Sequence, residues 1–189
     1  MNVQIGKPYL IVVEGKDDVA VLDLLLSHLK IECVQVVSAN GKDNIRNVVL
    51  VIASQDGFRD IVRGVAIIRD ADTDPDSAGR SCRDILTAVE KSTSVFLLPG
   101  DGPGMLEDLC LRSLEGSAEL ECVDSYIACI GANGIALGNE RKFRMKAYLM
   151  VHDEDTTQRI GWAAVQGLLD PAHAAFAPLR QFLIDFTRA

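Results

Sequence analysis

At 189 residues, 48% hydrophobic and 24% charged, the chain has enough apolar side chains for a core and too many for a disordered segment. Its net charge of -8 excludes a protein coated in basic surface, so a nucleic-acid partner has to be held by a local patch, by metal ions or by another subunit. No apolar run is long enough to span a bilayer, and the opening Met1-Asn2-Val3-Gln4-Ile5-Gly6-Lys7 has no signal-peptide pattern, so a cytoplasmic protein without a membrane partner is expected.

In chain order, residues 9–13 (Tyr-Leu-Ile-Val-Val) read as a buried strand that stops at Glu14-Gly15-Lys16-Asp17-Asp18. A helix is expected from Asp17 to Lys30, with Val19, Leu22, Leu25, Leu26 and Leu29 at helical spacing. Cys33 to Val37 is a second short strand. After the turn Ser38-Ala39-Asn40-Gly41, a helix is expected from Asp43 to Gln55, ended by Asp56-Gly57. Ile61 to Ile68 reads as the third strand, running into Arg69-Asp70-Ala71-Asp72-Thr73-Asp74. Asp74-Pro75-Asp76 reads as a loop, because proline disfavours helical geometry in the residue before it. A helix from Ser81 to Lys91 and a strand from Val95 to Leu98 follow, then the Gly/Pro-dense 99–104 and a helix near Met105.

This βαβα order predicts an α/β fold: a Rossmann-like central parallel sheet of about four strands, flanked by helices, over residues 1–115. Residues 116–189 read as a helical C-terminal extension packed on it, with helices at 119–130, 140–151, 162–169 and 172–186. Loops are expected at Gly131-Ala132-Asn133-Gly134 and His152-Asp153-Glu154-Asp155. The five cysteines, without a CxxC pair, support neither zinc ligation nor a disulfide scaffold and are expected to be buried small side chains. Trp162, Phe176, Phe182 and Phe186 are expected in the core, and His28, His152 and His173 share no metal-ligand spacing.

Ligand sites of open α/β sheets lie beyond the carboxyl ends of the strands, which is where the two acidic clusters fall. Asp70 and Asp72, separated by one residue, share one side of an extended segment and repel unless a cation or proton sits between them. Glu14 arrives from another strand, and three converging carboxylates suit Mg²⁺. Asp18, four residues on, is either a helix-dipole partner or a second metal ligand; Asp17 and Asp74 read as helix-start and turn residues. Gly15 allows a tight turn and close approach of a phosphate.

Lys42, in Gly41-Lys42-Asp43-Asn44, is a candidate phosphate contact at a helix start. Glu107, in a first helical turn near the same edge, is a candidate metal ligand or a dipole partner. Arg141, Lys142, Arg144 and Lys146 form the dense basic cluster, read as a solvated helix face or a backbone-phosphate contact. Lys142 is its candidate for stabilising phosphoryl charge.

A strand ending in Glu-Gly, followed by a strand ending in Asp-x-Asp, resembles the Toprim domain of topoisomerases, bacterial primases, recombination mediators and OLD-type nucleases, over residues 8–115. With residues 14–18, 41–44 and Leu106-Glu107-Asp108-Leu109 together, the chain looks most like small stand-alone Toprim-like proteins of unassigned function. The Glu14/Asp18 spacing is similar to that of OLD-type nucleases. The resemblance implies Mg²⁺ (or Mn²⁺) held by Asp70 and Asp72, with Glu14 as general acid/base or further ligand, and DNA or RNA as partner. No pattern for the accessory domains of topoisomerases, primases or OLD ATPases occurs in these residues, so their full activities are not expected. Three functions remain open: a Mg²⁺-dependent nuclease-like enzyme, a catalytically silent module binding nucleic acid or protein, and a small-molecule phosphotransfer enzyme. A homo-oligomer or a partner protein is compatible with each.

Overall fold

A computed structural model describes residues 4–152 and 159–188. Strands β1 (Tyr9–Val13), β2 (Val34–Ser38), β3 (Gly64–Asp70) and β4 (Ser92–Leu98) form one parallel sheet in the order β2-β1-β3-β4. Helices α1 (Lys16–Leu29), α2 (Ile45–Ala53), α3 (Phe58–Ile61), α4 (Pro75–Leu86) and α5 (Leu106–Ser113) connect and follow the strands. The C-terminal extension is α6 (Ala118–Ala132), α7 (Glu140–His152), α8 (Ile160–Val165) and α9 (Ala177–Arg188). The α/β fold with its helical extension is therefore as the sequence predicts. The loop expected at 153–155 lies outside the described residues.

The two faces of the sheet bury different sets of residues. Ile11, Val13, Ala66 and Ile68 face α1 and α5, together with Tyr148, Phe176, Leu183 and Phe186 of the extension. Leu10, Val12, Val65 and Ile67 face α2 and α4 through Val48, Ile52, Cys82 and Ile85. Each such aliphatic side chain, fully buried, stabilises the fold by about 1.5–3 kcal/mol. β1 is buried at all five positions, which is why its sequence is apolar without alternation. Gly64 opens β3 because a Cβ there would stand 3.1 Å from both Tyr9 and Phe186, so the glycine lets α9 lie against the strand.

Several expectations are corrected. Pro75 does not lie in a loop: it opens α4, with Asp74 as N-cap accepting the Ser77 N–H at 2.9 Å. Proline is well suited to a first helical position, whose N–H has no partner to lose. The second helix starts later than expected, after a 3₁₀ turn at Lys42–Asn44. The third strand begins at Gly64 rather than Ile61, because Gly57, at φ 86°, starts the one-turn α3 ahead of it. Of the cysteines, Cys82 and Cys110 are buried and Cys33 half-buried, but Cys122 and Cys129 are exposed. Both lie on α6, which buries only Leu120 and Val123. Of the four aromatics, Phe176 and Phe186 are fully buried, while Trp162 and Phe182 pack at the core margin.

Candidate active site

The carboxyl ends of β1 and β3 carry the site. β1 ends at Val13, and Glu14 and Gly15 lead directly into α1. Asp18 turns back to accept the Gly15 N–H at 2.8 Å, closing the first turn of α1. Gly15 itself is extended (φ -135°, ψ 179°), so the tight-turn role expected for it is corrected. Any residue adopts that backbone, and a Cβ there would stand 3.3 Å from the Asp18 carboxylate.

Asp70 closes β3. Its Oδ1 accepts the Leu106 N–H at 2.9 Å, which sets the carboxylate on the amino end of α5. Asp108 caps the same helix through the Met105 N–H at 2.9 Å. Glu14, Gly15, Asp18, Asp70, Glu107 and Lys142 line one hollow of about 400 Å³, with Asp17, Arg159 and Ile160 at its wall. Carboxylates from β1–α1, β3 and α5 thus meet there.

Burial governs their protonation. It raises Asp70 to about 8, with the charges of Glu14, Asp18 and Glu107 adding to it and the Leu106 N–H opposing it. Burial likewise raises Asp18 to about 6, against the Gly15 N–H. Glu14 is also raised by burial, with Arg69 opposing. Arg69 Nε lies 3.4 Å from Glu14 Oε1, close enough for charge attraction, yet that oxygen is buried without a hydrogen-bond partner.

Asp72 departs from expectation. It does not continue the extended segment beside Asp70; its backbone is left-handed, at φ 53°, and it exchanges two backbone hydrogen bonds with Gly104, at 2.9 and 2.8 Å. Its carboxylate meets Lys42 Nζ at 3.1 Å and Arg69 at 3.4 Å, on the wall of a neighbouring hollow. The Asp-x-Asp pair is therefore split, because one left-handed residue breaks the two-residue alternation on which the expectation rests. Lys42 is held by this ion pair.

The basic cluster is divided as well. Lys142 faces the acid hollow, with Nζ 4.0 Å from Glu107 Oε1. Arg141 binds Asp108 at 2.8 Å, and Arg144 binds Asp124. Asp17, in the first turn of α1 as expected, also accepts the Gly161 N–H at 3.0 Å and so ties α1 to α8, a contact the sequence does not indicate. Arg69 and Arg159 were not anticipated. The signal for Arg69 was its place next to Asp70 at the strand end; Arg159, in an unpatterned stretch, carried none.

The family described as protein of unknown function (DUF3226) matches residues 8–188. The chain belongs to that family. The match takes in the C-terminal helices as well as the sheet. Among curated proteins, none matches the chain. Among solved structures, the C-terminal region of the Burkholderia pseudomallei OLD protein is similar, with a TM-score of 0.51 at 15% identity over 96% of this chain and 98% of that chain. At that identity the likeness speaks for the fold alone.

The acid hollow offers oxygens suited in kind to a hard divalent cation: the carboxylates of Glu14, Asp18, Asp70 and Glu107 are crowded there, and one buried oxygen of Glu14 has no hydrogen bond, while Lys16, Lys142 and Arg159 share the lining. Among the described residues, no three histidine, cysteine or acidic side chains already surround a common metal position. Asp18 and Asp70 are each engaged by a backbone N–H, and Glu107 faces Lys142. No helix among the described residues is long and apolar enough to cross a membrane.

Proposed function

We propose that the chain is a divalent-metal-dependent, nuclease-like enzyme acting on phosphodiesters of nucleic acid. The observation that carries this reading is the convergence of Glu14, Asp18, Asp70 and Glu107 on one hollow, where burial and mutual repulsion hold Asp70 protonated to about pH 8. A site that keeps like charges so close is suited to a cation. The Glu14/Asp18 spacing, similar to that of OLD-type nucleases, supports the same reading.

In this reading Asp70 would hold Mg²⁺, or Mn²⁺ in its place, with Asp18 and Glu107 as further carboxylates of the same hollow. The ion, when bound, supplies charge neutralisation at the phosphate and activation of water. Glu14, whose carboxyl is raised by burial, serves as general acid/base at the reacting oxygens or, alternatively, as a further ligand. Lys142 stabilises charge building on the phosphoryl oxygens. Asp72 positions Lys42 and Arg69 rather than binding the ion.

The test is cleavage of single- and double-stranded DNA and RNA with Mg²⁺ or Mn²⁺, by wild type and Asp70→Asn. Metal-dependent cleavage lost in the variant supports the enzyme. A silent module that binds nucleic acid or protein is the second reading, favoured by the lack of a ready-arranged ligand set among the described residues. Metal-independent binding without cleavage of any of the four substrates would establish that alternative.

A further inference from the structure

The other face of the sheet edge holds a second hollow, of about 580 Å³, between α2 and α4. Lys42, Arg46, Arg69 and Arg80 line it, with the Ser77 and Ser81 hydroxyls. Asp43 and Asp84 also face it, so four cations meet two carboxylates there, in a chain whose net charge is -8. Lys42 and Arg69 already share the Asp72 carboxylate. Arg46 and Arg80 are exposed and have no acidic partner within 4.0 Å among the described residues. Ile85 is the one apolar residue in the lining, which does not suit a hydrophobic ligand.

We propose that this hollow is a second phosphate subsite, which holds a neighbouring backbone phosphate of the nucleic-acid strand whose reacting phosphate lies in the acid hollow. The inference rests on the phosphodiester reading above. Guanidinium pairs with hydroxyl donors are the usual hold on a phosphate, and such contacts position a strand without reading its sequence. The two hollows are connected. An adjoining hollow of about 520 Å³ shares Lys42, Arg69, Ser77 and Ser81 and extends to Asp72 and Asp74. Arg69 in turn lies 3.4 Å from Glu14, on the wall of the acid hollow. A strand crossing this ridge meets cations on one side and the acid cluster on the other. A small phosphorylated substrate needs no second subsite.

The test is binding of a short fluorescein-labelled single-stranded oligonucleotide, followed by anisotropy in EDTA across a salt series. Wild type is compared with an Arg46→Ala/Arg80→Ala double variant and with Arg63→Ala, an exposed cation just ahead of β3 at the opposite end of the sheet. Thermal melts confirm that the variants fold. In the double variant, affinity falls and the slope of log K against log salt shrinks by about 0.7 per removed cation, the value for a single strand. Arg63→Ala leaves the slope unchanged. Three results overturn the proposal: no binding by wild type in EDTA, an unchanged slope in the double variant, or tighter binding of inorganic pyrophosphate than of the oligonucleotide. Because metal is absent, failure of the metal reading leaves this result standing. Intact metal-dependent cleavage with equal slopes removes the subsite alone.

Discussion

Arg69 and Asp70 are chain neighbours at the end of β3, yet they serve opposite faces of the sheet. Arg69 continues the register of Val65 and Ile67 toward α2 and α4, while Asp70 continues that of Ala66 and Ile68 toward α1 and α5. Strand alternation thus sorts a cation into the basic hollow and a carboxylate into the acid one. Glu14 stands between them, attracted by Arg69 and raising Asp70.

Asp70→Asn is predicted to stabilise the metal-free protein at pH 8 while abolishing metal binding. Asparagine keeps an oxygen for the Leu106 N–H and removes a carboxyl that burial and three like charges oppose. The gain expected is on the order of 1–3 kcal/mol, read from urea unfolding. Lower stability than wild type at pH 8 without metal contradicts this.

Metal-free stability should fall as pH rises. Folded Asp70 retains its proton to about pH 8 and folded Asp18 to about 6. Both lose it near pH 4 in the unfolded chain. Between those limits the folded state binds more protons, so their contribution is complete below about pH 4 and lost as pH passes 6 and then 8. The loss is on the order of a few kcal/mol. Millimolar Mg²⁺ should restore it above pH 7, since a ligand of the folded state stabilises by mass action. Thermal melts from pH 5 to 9, with and without Mg²⁺, provide the check.

How much of this was legible before the structure divides along one physical line. The sheet, its flanking helices and the placing of Glu14 and Asp70 at one sheet edge were readable, because buried strands and their charged ends leave local patterns, whereas Lys142 reaches the same hollow from α7. The relation of Asp72 to Asp70 was not, since it depends on one residue at φ 53° held by a non-local contact with Gly104. The roles of Arg46 and Arg80, and the hollow that Arg69 shares with them, were likewise hidden, because they arise only when α2, β3 and α4 meet.

Asp72→Ala should change metal affinity by less than about fivefold, the scale of an exposed ion pair. Its carboxylate is engaged with Lys42 and Arg69, not with the acid hollow. Calorimetric titration of Mg²⁺ into this variant makes the comparison. A loss equal to that of Asp70→Asn would return Asp72 to the metal site.

Lys142→Ala should slow cleavage about ten- to a hundredfold while leaving metal affinity in place. Lys142 faces the hollow from α7 and approaches Glu107 no closer than 4.0 Å. Single-turnover rates beside metal titrations separate the two effects. An equal loss of metal binding contradicts the assignment.

Gly161→Ala tests the tie between extension and sheet. A Cβ there would stand 2.9 Å from Asp17 Oδ1 and 3.2 Å from Ala20, so either the Asp17 carboxylate turns away and gives up its bond to Gly161 or α8 shifts on α1. The cost expected is about 1–3 kcal/mol by denaturant unfolding. An unchanged midpoint would show that α8 does not need that close approach.

The most direct measurement is a calorimetric titration of Mg²⁺ and Mn²⁺ into wild type and Asp70→Asn at pH 7–8. The account predicts saturable binding to wild type, accompanied by proton release as Asp70 ionises, and none to the variant. Absence of binding to wild type at millimolar metal, or equal binding to both proteins, would contradict a metal site at Asp70.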